Sequence, residues 1–318
     1  MIGRIVEIGS DGRHLTCDRG FLVVREGGRE VGRTPLDDIS AVIANAHGLS
    51  YTNNLLVALA QRGCPFVLCG PQHRPVGLLL PVEGHYQQAA RMDAQLSASA
   101  PLRKQIWKGV IQRKLGMQAA VLESLGRPHA PLRALARKVR SGDPSNVEAQ
   151  GAKAYWRLLL GSAFRRNPDS DGVNSLLNYG YAVARAMVAR QVIATGLHPG
   201  IPIHHANAGN PMRLVDDLME PFRPLVDLTV VRLAANGVED VTPESKSELA
   251  ILHTRTLLMP SRSPVVMVVQ RFVGSVARVF ESGQMADLGG LLDRGGQLES
   301  FTEKMGAAEI EKAGATEN

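Results

Sequence analysis

PVGLLLPVEGHYQQ, residues 75 to 88, divides the chain into two regimes. Before it, short β-branched or alternating runs are punctuated by turn residues; after it, apolar residues recur every three or four positions. Working back toward the start, GRIVEI, HLTC, FLVVRE, ISAVIA and PFVLC read as strands, and the SDG, DRG and EGG between them read as hairpin turns. One stretch breaks the pattern: in TNNLLVALAQRG, 52 to 63, Thr52 can cap, the apolar spacing is helical and Gly63 can stop the helix. Working forward, QIWKGVIQRKLGMQAAVLESLG, EAQGAKAYWRLLLGSAF, VNSLLNYGYAVARAMVARQVIATG and SPVVMVVQRFVGSVARVFESG keep the helical period. The predicted fold is therefore α+β. A β-rich domain spans residues 1–80, a linker 81–92 and an all-α domain 93–301, and the polar tail 302–318 is too poor in large apolar residues to pack.

The 318 residues, 44% of them hydrophobic, suffice for two cores without staples. No basic leader precedes an apolar run at the start, and no stretch of about 18 apolar residues occurs, so the expected location is cytoplasmic and no membrane is expected as a partner. Cys17, Cys64 and Cys69 are odd in number and lack CxxC spacing, against a disulfide framework or a structural zinc site.

The net charge of +6 is unevenly spread: residues 91 to 140 hold 11 Lys and Arg against 2 Asp and Glu. Such a block attracts polyanions, nucleic acid above all, and points to Arg103, Lys104, Lys108, Arg113 and Lys114 as phosphate contacts. A solvated helical face without a partner explains the same charges. Trp107, in their midst, reads as core before it reads as a base-stacking platform.

In LVDDLMEPFRP, Asp217 and Glu220 share a helix face at i and i+3, with Asp216 close behind. Their repulsion needs a cation or a basic side chain between them, and Arg223 is near enough to be that side chain. His205 lies in a Gly, Pro and Asn-rich loop before them, and an imidazole with carboxylate oxygens suits a hard divalent ion, Mn²⁺ or Mg²⁺, rather than zinc. His204 competes with it, because adjacent side chains point in different directions. Glu148 would complete the set, although Ser145 and Glu148 also spell a capping box that opens a helix. In NSLLNYGYA, Leu177, Tyr179 and Tyr181 read as core, while Asn174 and Asn178 are placed to orient site residues. There is no HExxH of a metalloprotease and no GxxxxGK[ST] of a nucleotide-hydrolysing motor.

Four segments, VEAQGAKAYW around Glu148, DGVNSLLNYGYAVARA (171–186), GLHPGIPIHH (196–205) and LVDDLMEPFRP (214–224), appear in an order and spacing that resemble the CRISPR-associated integrase of spacer acquisition, a metal-dependent DNA endonuclease, and especially its type II branch. The resemblance implies that the helical domain is catalytic, and that Glu148, His205 and Glu220 hold Mg²⁺ or Mn²⁺ with Asp217 in support. It further implies an activity: a 3′-hydroxyl of an incoming fragment attacks a phosphodiester at the CRISPR repeat, inserting the fragment as a new spacer, while water in its place gives nuclease activity. Implied partners are double-stranded DNA, a second copy in a homodimer, and a smaller CRISPR-associated adaptation protein in a heterohexameric complex, all in a prokaryotic cytoplasm. The rival reading is a catalytically inactive DNA-binding scaffold of the same complex.

Overall fold

The computed structural model describes residues 4–71, 75–82, 84–257 and 263–289. The expected disordered tail, 302–318, lies outside them. The first part carries strands β1 (Arg4–Ile8), β2 (Arg13–Asp18), β3 (Phe21–Glu26), β4 (Arg29–Pro35), β5 (Ile39–Ala44), β6 (Ser50–Tyr51), β7 (Phe66–Cys69) and β8 (Pro75–Leu79), with helix α1 (Asn53–Gln61) between β6 and β7. Thr52 caps α1, its side chain accepting from the Leu55 amide at 3.3 Å, and Gly63 follows the helix end with φ +62°.

Two of the three expected hairpins form, at DRG between β2 and β3 and at EGG between β3 and β4. In the second, Gly27 and Gly28 both adopt positive φ, as a two-residue turn matched to strand twist requires. SDG, by contrast, leads from one sheet into another. β1 pairs in parallel with β5, giving a mixed sheet of order β1-β5-β7-β8, while the second sheet runs β4-β3-β2-β6. The cause is burial: β5 is buried along its whole length, a central strand needing neighbours on both edges.

Strand alternation makes the mixed sheet a middle layer. Val42, Ala44 and Phe66 face a core shared with Leu15, Leu22 and Leu55, whereas Ala41, Ile43, Val67 and Cys69 join the helical core. Across that boundary the Glu7 carboxylate accepts from the Tyr179 hydroxyl at 2.6 Å and pairs with Lys246 at 2.9 Å.

The second part holds α2 (Gln88–Ser97), α3 (Ala100–Ser124), α4 (Ala130–Lys138), α5 (Val147–Leu160), α6 (Val173–Ala194), α7 (Arg213–Met219), α8 (Arg223–Ala235), α9 (Pro243–Ala250) and α10 (Val265–Ser282). α2 begins at Gln88, inside the stretch expected as linker. An all-α second domain needs one amendment, a two-stranded ribbon of β9 (Thr256–Leu257) and β10 (Ser263–Pro264). Buried α6 packs on α7, α8, α9, α10 and strand β5, while α3 touches α4, α5 and the turn 220–222. Gly180 lets α6 approach α8: a Cβ there would stand 2.3 Å from Val226 Cγ1. Among the described residues no helix is long and apolar enough to cross a membrane.

Candidate functional site

Three elements carry the predicted site residues. Glu148 stands in the first turn of α5, Glu220 in a single 3₁₀ turn joining α7 to α8, and His205 in the loop before α7. Pro221 stands in that 3₁₀ turn, where the α-helical run of α7 is interrupted before α8, as a residue that cannot donate the next helix hydrogen bond requires.

The Ser145–Glu148 capping box is not formed. Asn146 is the cap, in a left-handed conformation, with its side chain accepting from the Ala149 amide, and the Asp143 carboxylate accepts from the Val147 and Glu148 amides at 2.8 and 2.9 Å. In DPSN three residues can cap, and backbone geometry chose Asp143 and Asn146. The Glu148 side chain is thereby released from capping and reaches Lys114 Nζ at 2.6 Å.

Lys114 stands between two acids, its ammonium 2.6 Å from Glu148 Oε1 and 2.6 Å from Glu220 Oε2. Arg223 closes the other side of Glu220, with Nε 2.8 Å from Oε1, and lays its guanidinium 4.8 Å over the Tyr181 ring. Burial alone would push the Glu220 carboxyl up, but Arg223 and Lys114 carry it down to about 2. Burial likewise opposes the charge on Lys114, and the two glutamates more than offset it, raising its pKa. The basic side chain expected to balance the acidic helix is thus Arg223, joined by a lysine whose sequence position pointed to DNA.

Asp217 is fully buried and accepts from the amides of Ile203, His204 and His205 and from His205 Nδ1 at 2.6 Å. An ionised carboxylate only accepts, so Nδ1 carries the proton and the lone pair of Nε2 is left for a ligand. The hydrogen bond to Asp217 also raises the pKa of His205. His204 points away, stacked on buried Trp107 at 4.2 Å with 6° between the planes. Trp107 is core, and its ring also meets His205 edge-on at 5.8 Å. Asp216 turns to Arg185, Nε to Oδ1 at 2.7 Å, so the three carboxylates of the segment each meet a different partner.

Asn174 and Asn178 both accept from Arg166, whose guanidinium lies over the Tyr181 ring at 5.5 Å. Tyr181 thus has two guanidiniums over its ring, and its hydroxyl donates to Asp227 at 2.5 Å.

The expected phosphate contacts separate into two groups. Lys104 is exposed, Lys108 half-buried, and the Arg103 guanidinium donates to the Gln95 and Leu96 carbonyls near the end of α2. Arg113 and Lys114 are buried, and this corrects their assignment to DNA. Arg113 donates to the Gly109 and Gly289 carbonyls, and Lys114 belongs to the acids. The signal was in the sequence: from Ile106 to Leu122, α3 is apolar around most of its circumference, so a charge there must find a buried partner.

As donors, one imidazole nitrogen and two or three carboxylates suit a hard divalent ion. Among the described residues, however, no three such groups are gathered closely enough to hold one as they lie. The Lys114 ammonium stands between two of them.

The same architecture occurs elsewhere. A solved structure described as a casposase bound to integration product matches with a TM-score of 0.76 at 19% identity, covering 98% of this chain and 99% of that one. A Cas6-RT-Cas1--Cas2 complex matches with a TM-score of 0.73 at 15% identity, over 92% of this chain and 36% of that one. At such identities the likeness defines the fold class. Sequence narrows it: the CRISPR-associated endonuclease Cas1 of Neisseria meningitidis is 37% identical over 270 residues, 83% of this chain and 88% of that protein. The family model described as CRISPR associated protein Cas1 matches residues 6–255, and the chain belongs to that family.

Proposed function

We propose that this chain is a CRISPR adaptation integrase and metal-dependent DNA endonuclease, with Glu148, His205 and Glu220 as ligands of Mg²⁺ or Mn²⁺. The observation that carries the reading is that Glu148 and Glu220, from separate helices, lie close enough to share one cation, with the His205 imidazole acting on Glu220 from the loop. A bound divalent ion supplies Lewis-acid polarisation of a phosphoryl oxygen and stabilises charge in an in-line displacement. The chain supplies the rest. Asp217 fixes the tautomer and orientation of His205, Arg223 keeps Glu220 anionic, and a 3′-hydroxyl of the incoming fragment is aligned on the repeat phosphodiester beside them.

Next to the start of α5 lies a cleft of ≈ 580 Å³ lined by Lys108, Arg137, Lys138 and Arg140, none paired with a carboxylate among the described residues. Four such cations in a cleft also lined by Val147 and Gln150, sequence neighbours of Glu148, suit the phosphates of double-stranded DNA of any sequence. Val76 and Leu79, exposed on edge strand β8, and Leu68 beside them support pairing of two copies in a homodimer. The structurally similar Cas6-RT-Cas1--Cas2 complex joins Cas2 to Cas1, which supports a smaller adaptation protein as partner, in the heterohexamer and prokaryotic cytoplasm that this reading entails.

The test is integration of fragments bearing 3′-hydroxyls into a supercoiled repeat plasmid, with Mg²⁺, Mn²⁺ or EDTA. Wild type should integrate only with a divalent ion, and Glu148→Ala, His205→Ala and Glu220→Ala should each lose on the order of 100-fold or more. Activity surviving EDTA, or normal integration by a folded Glu148→Ala protein, overturns the ligand assignment. DNA binding without any integration by wild type supports the inactive scaffold instead. Charge reversal at Lys108, Arg137 and Arg140 should each lower the salt slope of duplex binding by about 1, whereas an unchanged slope removes the cleft from the interface.

A further inference from the structure

Glu220 has a cation on each carboxylate oxygen, Arg223 at 2.8 Å and Lys114 at 2.6 Å, and Lys114 also holds Glu148. An ion bridging the same two acids would coordinate their oxygens at about 2.0–2.6 Å and would stand where the ammonium stands. One cation must give way, and the two are not equally free to do so. Arg223 is pinned, its planar guanidinium lying against the Tyr181 ring. Lys114 is a compact charge on a flexible four-carbon stem that enters from α3 and can retract along it. The charge balance points the same way. Glu148 and Glu220 face Lys114 and Arg223, two negative groups against two positive, so loss of the ammonium turns a neutral cluster into one of net charge −1 that attracts a divalent ion.

We propose that the Lys114 ammonium and the divalent ion compete for Glu148 and Glu220, so that Lys114 is displaced as the ion enters and sets how tightly it is held. The proposal rests on the reading of Glu148, His205 and Glu220 as metal ligands. It makes Lys114 a positioning residue that keeps two like charges together until the ion replaces it. The opposite role, a lysine that stays in place to support the ligands, predicts the opposite sign.

Mn²⁺ is titrated into the full-length, DNA-free protein, and the free ion is followed by electron paramagnetic resonance. Lys114→Gln and Lys114→Met, folded by circular dichroism, should bind Mn²⁺ more tightly than wild type by on the order of tenfold, and Glu220→Gln should lose the site. Lys114→Met keeps the apolar stem within the helix packing should Lys114→Gln fail to fold. A second measurement needs no variant: adding Mg²⁺ to wild type should raise acylation of Lys114 by an amine reagent, read by peptide mass, while Lys246 on Glu7 stays unchanged. Equal or weaker Mn²⁺ affinity in a folded Lys114 variant, or no rise in Lys114 labelling, overturns the competition. If affinity is equal in the lysine variants yet lost in Glu220→Gln, competition alone falls; if Glu220→Gln binds like wild type, the ligand assignment falls with it.

Discussion

Glu220 and Asp227 lie two helical turns apart, both sunk below the surface, and their surroundings shift the two carboxyls in opposite directions. Glu220 meets Lys114 and Arg223, which outweigh its burial and bring it to about 2. Asp227 meets phenols: burial raises it to about 7, against the hydroxyls of Tyr181 and Tyr155, which pull down. Depth is nearly the same, 5% and 2% exposed. What differs is whether the cations bind the acid directly, as at Glu220, or act on it from farther off while phenol hydroxyls hold it, as at Asp227. The first arrangement keeps an anion ready for an incoming cation, and the second makes a hub that ties α6 to α8 and, through Tyr181, backs Arg223.

The largest test of that contrast is Glu220→Ala. It leaves buried Lys114 and half-buried Arg223 with less than their share of negative charge, and breaking such a cluster should cost about 3–5 kcal/mol in urea denaturation at neutral pH. A cost below about 1 kcal/mol would mean that the cations do not depend on Glu220, and the contrast would fail. Next in size is the pH dependence set by Asp227. The unfolded chain releases this proton near 3.8, whereas the folded protein holds it to about 7. Between those values the folded state binds more protons, so this group's contribution to stability is greatest below 3.8 and declines as pH rises, by at most about 4 kcal/mol. Asp227→Asn, which keeps an acceptor but never ionises, should therefore gain on wild type between about pH 4.5 and about pH 7.5. A stability difference that is the same at both pH values sinks the assignment.

Much of this was legible in the sequence where local chemistry decides. The Thr52 cap, the Gly27–Gly28 turn and the helical periods all appear where the residues place them. Legibility failed where distant burial decides. SDG is a turn, but only the continuous burial of β5 sends β1 to its edge rather than to β2. The charge count over residues 91 to 140 treated every cation as solvated, and so sent Arg113 and Lys114 to DNA although the helix carrying them is buried. The segment 214 to 224 gave the acids and Arg223 correctly, because their spacing is local. Lys114, about a hundred residues earlier, had no local signal to connect it to them.

Tyr181→Phe is the smallest and most discriminating change, because it deletes the hydroxyl and keeps the ring. Arg223 at 4.8 Å and Arg166 at 5.5 Å retain their face, while Asp227 loses its 2.5 Å donor. The expected cost is about 1–2 kcal/mol, since one hydrogen bond to a buried carboxyl is lost and Tyr155 stays beside it. That cost should grow from about pH 5 to about pH 8, because an ionised Asp227 needs the donor more than a protonated one does. Metal-dependent integration should persist in the folded variant, since Glu220 keeps both of its cations. If Tyr181→Phe instead abolished integration as completely as Glu220→Ala, the hydroxyl would be acting through Arg223 on Glu220, and the two carboxyls would form one coupled unit rather than two separately held groups.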